Sequence, residues 1–345
     1  MARQPTSDAM ARPGPPTAHD VARLAGVSQS AVSRSFTPGA SVSEKTRQKV
    51  LKTAKELGYR PNLIARSLIT QRSNLIGVAI PHLGNPFYAT LLEALSEDLA
   101  EHGYRAMLFP APMSAFVDPL IEEMLSFRLG GLILVSSSLS SGLAEECLRI
   151  GLPVVQVNRV SSRGTVSTIV GDNRGGAAQV AEFLVAGGHE RIAYMAGLEA
   201  SSTNHDREEG FTECLARHGR SLSHRVVANY SAEQARDHAR LLLARPDRPD
   251  ALFCANDHMA IAALSVARAE FGLVPGRDIS IVGFDDTRLS AMPEFSLTTF
   301  RQPVIEMARD AADVLHRMIS APDVEATRTV LPGELVIRGS ARRPG

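Results

Sequence analysis

The sequence predicts a small all-α helix-turn-helix headpiece followed by a large α/β body of two parallel-sheet subdomains, and three observations carry that prediction. Residues 17 to 58 hold three short amphipathic helical patterns, each with its own start and stop signals. From Leu75 onward the rhythm changes to apolar runs of five or six residues alternating with longer amphipathic stretches, as in parallel strands covered on both faces by helices. Charge divides at the same place: residues 1–73 contain 12 Lys and Arg against 4 Asp and Glu, a net +8, and the remaining 25 against 33 leave −8 on the body. A basic head on an acidic body suits a DNA-binding module joined to a ligand-binding one.

The headpiece is organised around Thr17 to Phe36, TAHDVARLAGVSQSAVSRSF. Val21, Leu24 and Ala25 are expected on one inward face, Gly26 permits a turn, Ser28 caps a second helix, and Val32 and Phe36 turn inward. Gln29, Ser30, Ser33 and Arg34 are left outside, where amide, hydroxyl and guanidinium donors at a helix start suit a recognition helix in a DNA major groove. An ordinary helical hairpin fits the same pattern. Ser43 and Glu44 then start a third helix whose stripe of Val50, Leu51, Ala54 and Leu57 closes a three-helix core before Gly58 stops it. Lys45, Arg47, Lys49, Lys52 and Lys55 coat its outside as a solvated face, with at most one or two of them reaching phosphates.

Tyr59 to Pro61 break the pattern, and Asn62 caps LIARSLIT, a helix too short to be stable alone. Ile64 and Leu68 lie four apart with small Ala65 between them. Two such helices from two subunits can pair and present Leu68 as a minor-groove wedge; packing of Leu68 on the body is the plainer reading.

In the body, strands are expected at 75–80, 105–109, 131–135, 153–157, 191–195, 251–255 and 279–284, with helices such as Tyr88 to His102, Ala177 to Ala186, Arg207 to His218 and His258 to Phe271 between them. Some 270 residues of this pattern exceed one sheet, so two subdomains are expected. Ligands of open parallel sheets bind beyond the carboxyl ends of the strands. His82 and Asn85, Asn158 and Arg159, Ser201 to Arg207, Tyr230, Asn256 and Asp257, and Asp285 and Asp286 fall there. They form a hydrogen-bonding ring with one aromatic, suited to a sugar or sugar acid. Taken singly, most would be helix caps or loop residues.

Several classes are excluded. Cys147, Cys214 and Cys254 are scattered and odd in number, so neither a disulfide framework nor a metal site is expected. No apolar run approaches a membrane span, and residues 1–16 are polar and Pro-rich without a signal core, so a cytoplasmic protein with a disordered tip is expected. There is no G-x-G-x-x-G after the first strand, no Walker loop and no G-x-S-x-G; GDNRGG at 171–176 fits a helix start, and His189–Glu190 is not H-E-x-x-H. No cofactor and no catalytic residue are expected.

The stretches DVARLAGVSQSAVSR, VSEKTRQKVLKTAKELGYRPN, IARSL, IGVAIPHLGNPFY, GDNRGGA, GHERIAYMAG, CANDHMA and GFDD occur in this order. Through them residues 17–340 resemble the lactose and galactose repressor (LacI/GalR) family of bacterial transcription regulators. The resemblance implies a headpiece at 17–61, a hinge helix and linker at 62–73, and a periplasmic-binding-protein-like body at 74–345. Its N-subdomain would take about 74–173 and 303–330, and its C-subdomain about 174–302 and 331–340. By position, Gln29, Ser30 and Arg34 would read bases; Thr17, Ser28, Ser33, Ser43, Thr46 and Asn62 would meet phosphates; Ala65 and Leu68 would enter the minor groove.

Effector contacts would map onto Phe87, Arg159, Ser201, Thr203, Arg207, Tyr230, Asn256 and Asp285. Arg159 adds a second cation, which tilts the effector toward an anionic or phosphorylated sugar, although arginine is also common at this place in the family. Thr37 and Pro38 depart from the usual Asn-rich turn, and no leucine-rich tail precedes Gly345, so a homodimer on a palindromic operator is expected. The function implied is a ligand-responsive repressor of a carbohydrate-related operon. A transport-type sugar-binding protein and a sugar-converting α/β enzyme are the alternatives.

Overall fold

The computed structural model of the chain describes residues 15–36, 39–60, 73–81, 83–112, 117–137, 140–160, 166–321 and 325–345. Residues 1–14 of the expected tip, Thr37, Pro38, the hinge stretch with Asn62, Ala65 and Leu68, and His82 lie outside the described residues. Contacts divide the chain into two compact units, Met1–Arg72 and Ser73–Gly345.

The first unit holds α1 (Ala18–Ala25), α2 (Gln29–Ser35) and α3 (Glu44–Leu57). Each is started by a hydroxyl: Thr17, Ser28 and Ser43 accept from the backbone N–H of Asp20, Ala31 and Thr46. Thr17 and Asp20 satisfy each other reciprocally, since Asp20 also accepts from the Thr17 backbone N–H at 3.0 Å. Gly26, at φ 61°, ends α1 in the left-handed region that a side chain would strain. Val21, Ala22, Ala25, Val32, Val50 and Ala54 are the buried core, closed at its edge by Phe36 and Tyr59 at 5.9 Å between ring centroids.

Leu24 and Leu51 correct the expected stripe: they are 55% and 41% exposed. At about 100° per residue the buried arc of α1 runs from Val21 through Ala25 to Ala22, and Leu24 falls about 60° outside it. Leu51 is likewise about 100° from Val50. One of the basic residues of α3 is structural, because the Arg47 guanidinium donates to the carbonyls of Ser35 at 2.9 Å and Ala40 at 3.3 Å, satisfying the end of α2.

The second unit contains two six-stranded sheets. The strands are β1 (Leu75–Ile80), β2 (Arg105–Pro110), β3 (Gly131–Val135), β4 (Val154–Val157), β5 (Ser167–Gly171), β6 (Ile192–Ala196), β7 (His224–Val227), β8 (Ala251–Cys254), β9 (Ser280–Asp285), β10 (Thr298–Arg301), β11 (Arg328–Leu331) and β12 (Glu334–Val336). The first sheet has order β11-β5-β4-β3-β1-β2 and is wholly parallel. The second, β12-β10-β9-β8-β6-β7, is parallel except for the β10–β12 pair.

Helices α4 (Pro86–Glu101), α5 (Asp118–Leu125), α6 (Ser141–Arg149) and α11 (Val304–Ser320) accompany the first sheet, and α7 (Asn173–Ala186), α8 (Ser202–Arg217), α9 (Ala232–Leu243) and α10 (Asp257–Ala269) the second. The chain passes between the sheets after β5, after β10 and after β11. In each sheet the strand order reverses at the first strand to enter it, β1 and β6, so both switch points direct their following loops to the carboxyl edge.

Five strands went unread in the sequence. β7, β11 and β12 are sheet edges and carry charged or exposed residues, so no apolar run marks them. β5 and β10 are internal but rich in Ser and Thr; Thr298 and Thr299 are buried because their hydroxyls donate to Arg338 O at 3.2 Å and to Asp257 at 2.5 Å. Helices α7 and α8 begin about a turn before the expected Ala177 and Arg207. The caps are Asp172, accepting from Gly175 N at 2.8 Å, and Ser201, accepting from Asn204 N at 3.2 Å.

Candidate functional site

On the headpiece, Gln29, Ser30, Ser33 and Arg34 are exposed along α2, while Val32 and Ser35 on its other side are buried. Thr17, Ser28 and Ser43 are exposed at the starts of the three helices and Thr46 is half-buried beside Ser43, their hydroxyls 2.8 Å apart. The predicted base-reading set thus shares one short helix. Three of the hydroxyls expected at phosphates, Thr17, Ser28 and Ser43, are helix caps at exposed positions.

In the body, residues from both sheets converge at the carboxyl ends of their strands. Asn85, Phe87 and Tyr88 follow β1, Ser136 follows β3, and Asn158 and Arg159 follow β4; Thr203 follows β6, Tyr230 follows β7, Asn256 follows β8, and Asp285 ends β9. Together they line a cavity of about 20 Å³, room for about one water. A ligand of sugar size therefore enters only when the two lips separate or these side chains move.

Seven of the eight predicted effector residues meet here; Ser201 does not line the cavity. Its hydroxyl caps α8 and donates to Leu198 O at 2.8 Å, so its oxygen serves the helix start rather than the cleft. Asn85 and Asn158 are among the polar strand ends that the sequence marks, whereas no sequence signal marks Tyr88 or Ser136. The lining holds three aromatics, not one, because the N-terminal turn of α4 brings Phe87 and Tyr88 in behind the Asn85 cap.

Arg207 is the hub. Its Nε donates to Asn173 Oδ1 at 2.8 Å, Nη1 donates to Ala255 O, Nη2 lies 3.8 Å from Asp285 Oδ1, and the guanidinium carbon sits 3.8 Å above the Phe284 ring centre. Burial pushes the Asp285 carboxyl up to about 8 against the opposing pull of Arg207, with nearby Asp257 pushing the same way as burial and a hydrogen bond from Gln302 Nε2 at 2.7 Å opposing it. Burial raises Tyr88 to about 12 and lowers Arg159, whose charge is favoured by the Tyr230 and Tyr88 hydroxyls.

Behind Asp285, the wholly buried Asp257 accepts from Thr287 N at 2.8 Å and from the hydroxyls of Ser290 and Thr299, each at 2.5 Å, fixing the loop after β9. The Tyr230 hydroxyl meets Thr203 Oγ1 at 3.3 Å, and a Cβ on Gly197 would stand 2.1 Å from the Tyr230 ring. Only glycine lets that ring lie over β6. Of the eight non-glycine residues with positive φ among those described, six (Ser136, Asn158, Asn229, Tyr230, Asp285 and Asp286) stand at or just beyond the carboxyl ends of strands, and Arg128 and Ser296 do not. Strain gathered at one edge marks a functional place.

With this geometry in view, the comparisons are specific. The family described as "Bacterial regulatory proteins, lacI family" matches residues 17–62, and the "Periplasmic binding protein-like domain" matches 181–341. Catabolite control protein A of Priestia megaterium is 30% identical over 94% of this chain and 99% of its own. The chain belongs to the lacI family of bacterial regulatory proteins.

The HTH-type transcriptional repressor CytR of Escherichia coli is 31% identical over 94% of this chain and 96% of its own. Among solved structures, a lac repressor dimer bound to operator and the anti-inducer ONPF matches with TM-score 0.84 and 30% identity over 95% of this chain and 99% of that one. As a lacI-family member with a helix-turn-helix head, the chain is a DNA-binding transcription regulator and not an enzyme. No described helix is long and apolar enough to cross a membrane.

Proposed function

We propose that this regulator is a cytoplasmic homodimeric repressor of carbohydrate-related genes that binds a palindromic operator and a polar small-molecule effector. Gln29, Ser30 and Arg34 read bases in the major groove; Thr17, Ser28, Ser33, Ser43, Thr46 and Asn62 meet phosphates; Ala65 and Leu68 enter the minor groove. The effector occupies the cleft against Phe87, Arg159, Thr203, Arg207, Tyr230, Asn256 and Asp285.

The observation that carries the reading is the convergence of those seven cleft residues, separated by up to 198 positions in sequence, on one buried cavity at the carboxyl edge of both sheets. Two guanidiniums, one carboxyl group, three amides and three aromatic rings line it. This mix grips ring hydroxyls edge-on and stacks against an apolar sugar face. A sugar or sugar acid fits, and a solved structure of a transcriptional regulator CelR–cellobiose complex matches with TM-score 0.70 and 30% identity. Opening the cleft to admit the effector changes the relation of the two subdomains, and differential affinity for the open and closed forms couples the effector to DNA.

A thermal-shift screen of the full chain against sugars, sugar acids and sugar phosphates tests this. A true effector at 100 times its Kd stabilises the chain by about 2.7 kcal/mol, and the shift is absent in Arg207→Ala. No shift from any of them contradicts a carbohydrate effector.

A further inference from the structure

We propose that Glu182, Cys214 and His218 form a binding site for a thiophilic divalent cation of the zinc class, bridging α7 and α8. The inference rests on the geometry of this helix pair and not on the assignment of the effector. Cys214 lies on α8, His218 is the residue that caps its end, and Glu182 projects from α7 alongside. Cys214 Sγ is 3.6 Å from one carboxylate oxygen of Glu182 and His218 Nε2 is 3.6 Å from the other. One donor atom from each of the three side chains lies within 4.8 Å of the other two. A tetrahedral zinc centre, with bonds of about 2.3 Å to sulfur and about 2.0 Å to nitrogen or oxygen, spaces its ligand atoms about 3.3 to 3.5 Å apart. The two separations to Glu182 are therefore already near coordinating values, and side-chain rotation brings Cys214 and His218, within 4.8 Å of each other, to the same spacing.

The sequence argued against a metal because the cysteines are scattered. The four-residue spacing of Cys214 and His218 supplies only two ligands, and the third becomes visible once α7 packs on α8. A thiolate, an imidazole and a carboxylate together favour Zn²⁺ or Co²⁺ over Mg²⁺ or Ca²⁺. The thiol is buried at the floor of the site, and the His218 and Glu182 side chains are 39% and 65% exposed at its mouth, so an ion enters from solvent and keeps a water in its fourth position. On binding, the Cys214 S–H bond breaks, a sulfur–metal bond forms, and the proton leaves to solvent.

The site has a structural consequence. The same two helices hold the Asn173–Arg207 hydrogen bond at their cleft end, and Arg174 bridges to Glu209 and Glu213, both at 2.5 Å. Glu182 is nine residues along α7 from Asn173, about 14 Å at 1.5 Å per residue. A cation there clamps the far end of the pair that positions Arg207.

The test is a Co²⁺ titration of the full chain after chelator treatment, read by absorbance and thermal unfolding. The expected result is one equivalent per chain, a sulfur-to-cobalt charge-transfer band that Zn²⁺ abolishes, and a raised melting temperature. Cys214→Ser removes the band. His218→Ala and Glu182→Gln change exposed side chains and leave the metal-free melting temperature unchanged, and each weakens binding by more than about tenfold, the loss that even supporting partners of metal ligands bring. Absence of the band, its persistence in Cys214→Ser, or undiminished affinity in both His218→Ala and Glu182→Gln overturns the proposal.

Discussion

The outward face of α2 and the cleft of the body are built in opposite ways. Gln29, Ser30, Ser33 and Arg34 stand exposed on a helix held by a core of six buried Val and Ala residues and by three hydroxyl caps. Arg207, Asp285, Tyr88 and Asn158 are buried, and Arg207 alone engages Asn173, Ala255, Phe284 and Asp285. On the proposed reading, the first face adds contacts when it meets DNA and the second exchanges contacts it already has, so function is separable from stability on α2 and bound up with it in the cleft.

The largest effect that sharpens this contrast is expected from Arg207→Ala. Its removal leaves Asn173 Oδ1 and Ala255 O buried without their donor and uncovers the Phe284 ring, so unfolding of the body should lose about 3 kcal/mol along with all response to effector. A variant of unchanged stability that still responds would mean that the cleft network is ornamental. Arg34→Ala is the mirror case. Binding to the cognate DNA sequence should fall by about 1 to 3 kcal/mol and binding to unrelated DNA should hold, with folding stability moving by less than about 0.5 kcal/mol. Equal loss on all sequences would place Arg34 at a phosphate.

The smallest effect is a pH slope. The folded chain holds a proton on Asp285 up to about 8, and the unfolded chain releases it near the usual carboxylate value of about 3.9. Between those values the folded state binds more protons, so stability conferred by this group declines as pH rises through the window. The melting temperature of wild type relative to Asp285→Asn should fall steadily from pH 5 to 8 and level off above; a flat difference would show that Asp285 is ionised throughout.

The sequence revealed the architecture wherever an element was apolar enough to mark itself. LIGVAI, GLILV and ALFCA are buried strands because both faces are covered, and their runs say so. Thr299 in β10 and Arg225 in β7 gave no such signal: one is buried only because Asp257 accepts its hydroxyl, and the other sits on an edge and pairs with Glu208. The cleft was readable as a set of polar strand ends, since parallel sheets put binding groups there. Tyr88 and Ser136 were missed because one is masked as a helix residue and the other follows an apolar run without any motif. Ser201 caps α8 and stands outside the cavity lining: a capping serine and a ligand-binding serine look alike until the helix start is fixed. Leu24 shows the same limit on the headpiece, where a leucine at near-helical spacing still falls outside the buried arc.

The most direct test of the account is the affinity of the full chain for its selected operator, measured by fluorescence anisotropy with and without saturating effector. We expect the effector to shift operator affinity by about tenfold or more, equivalent to about 1.4 kcal/mol of coupling. The operator should shift effector affinity by the same factor, and Arg207→Ala should show neither shift. Identical operator affinity at every effector concentration in the wild-type chain would contradict the claim that the cleft governs the DNA-reading head.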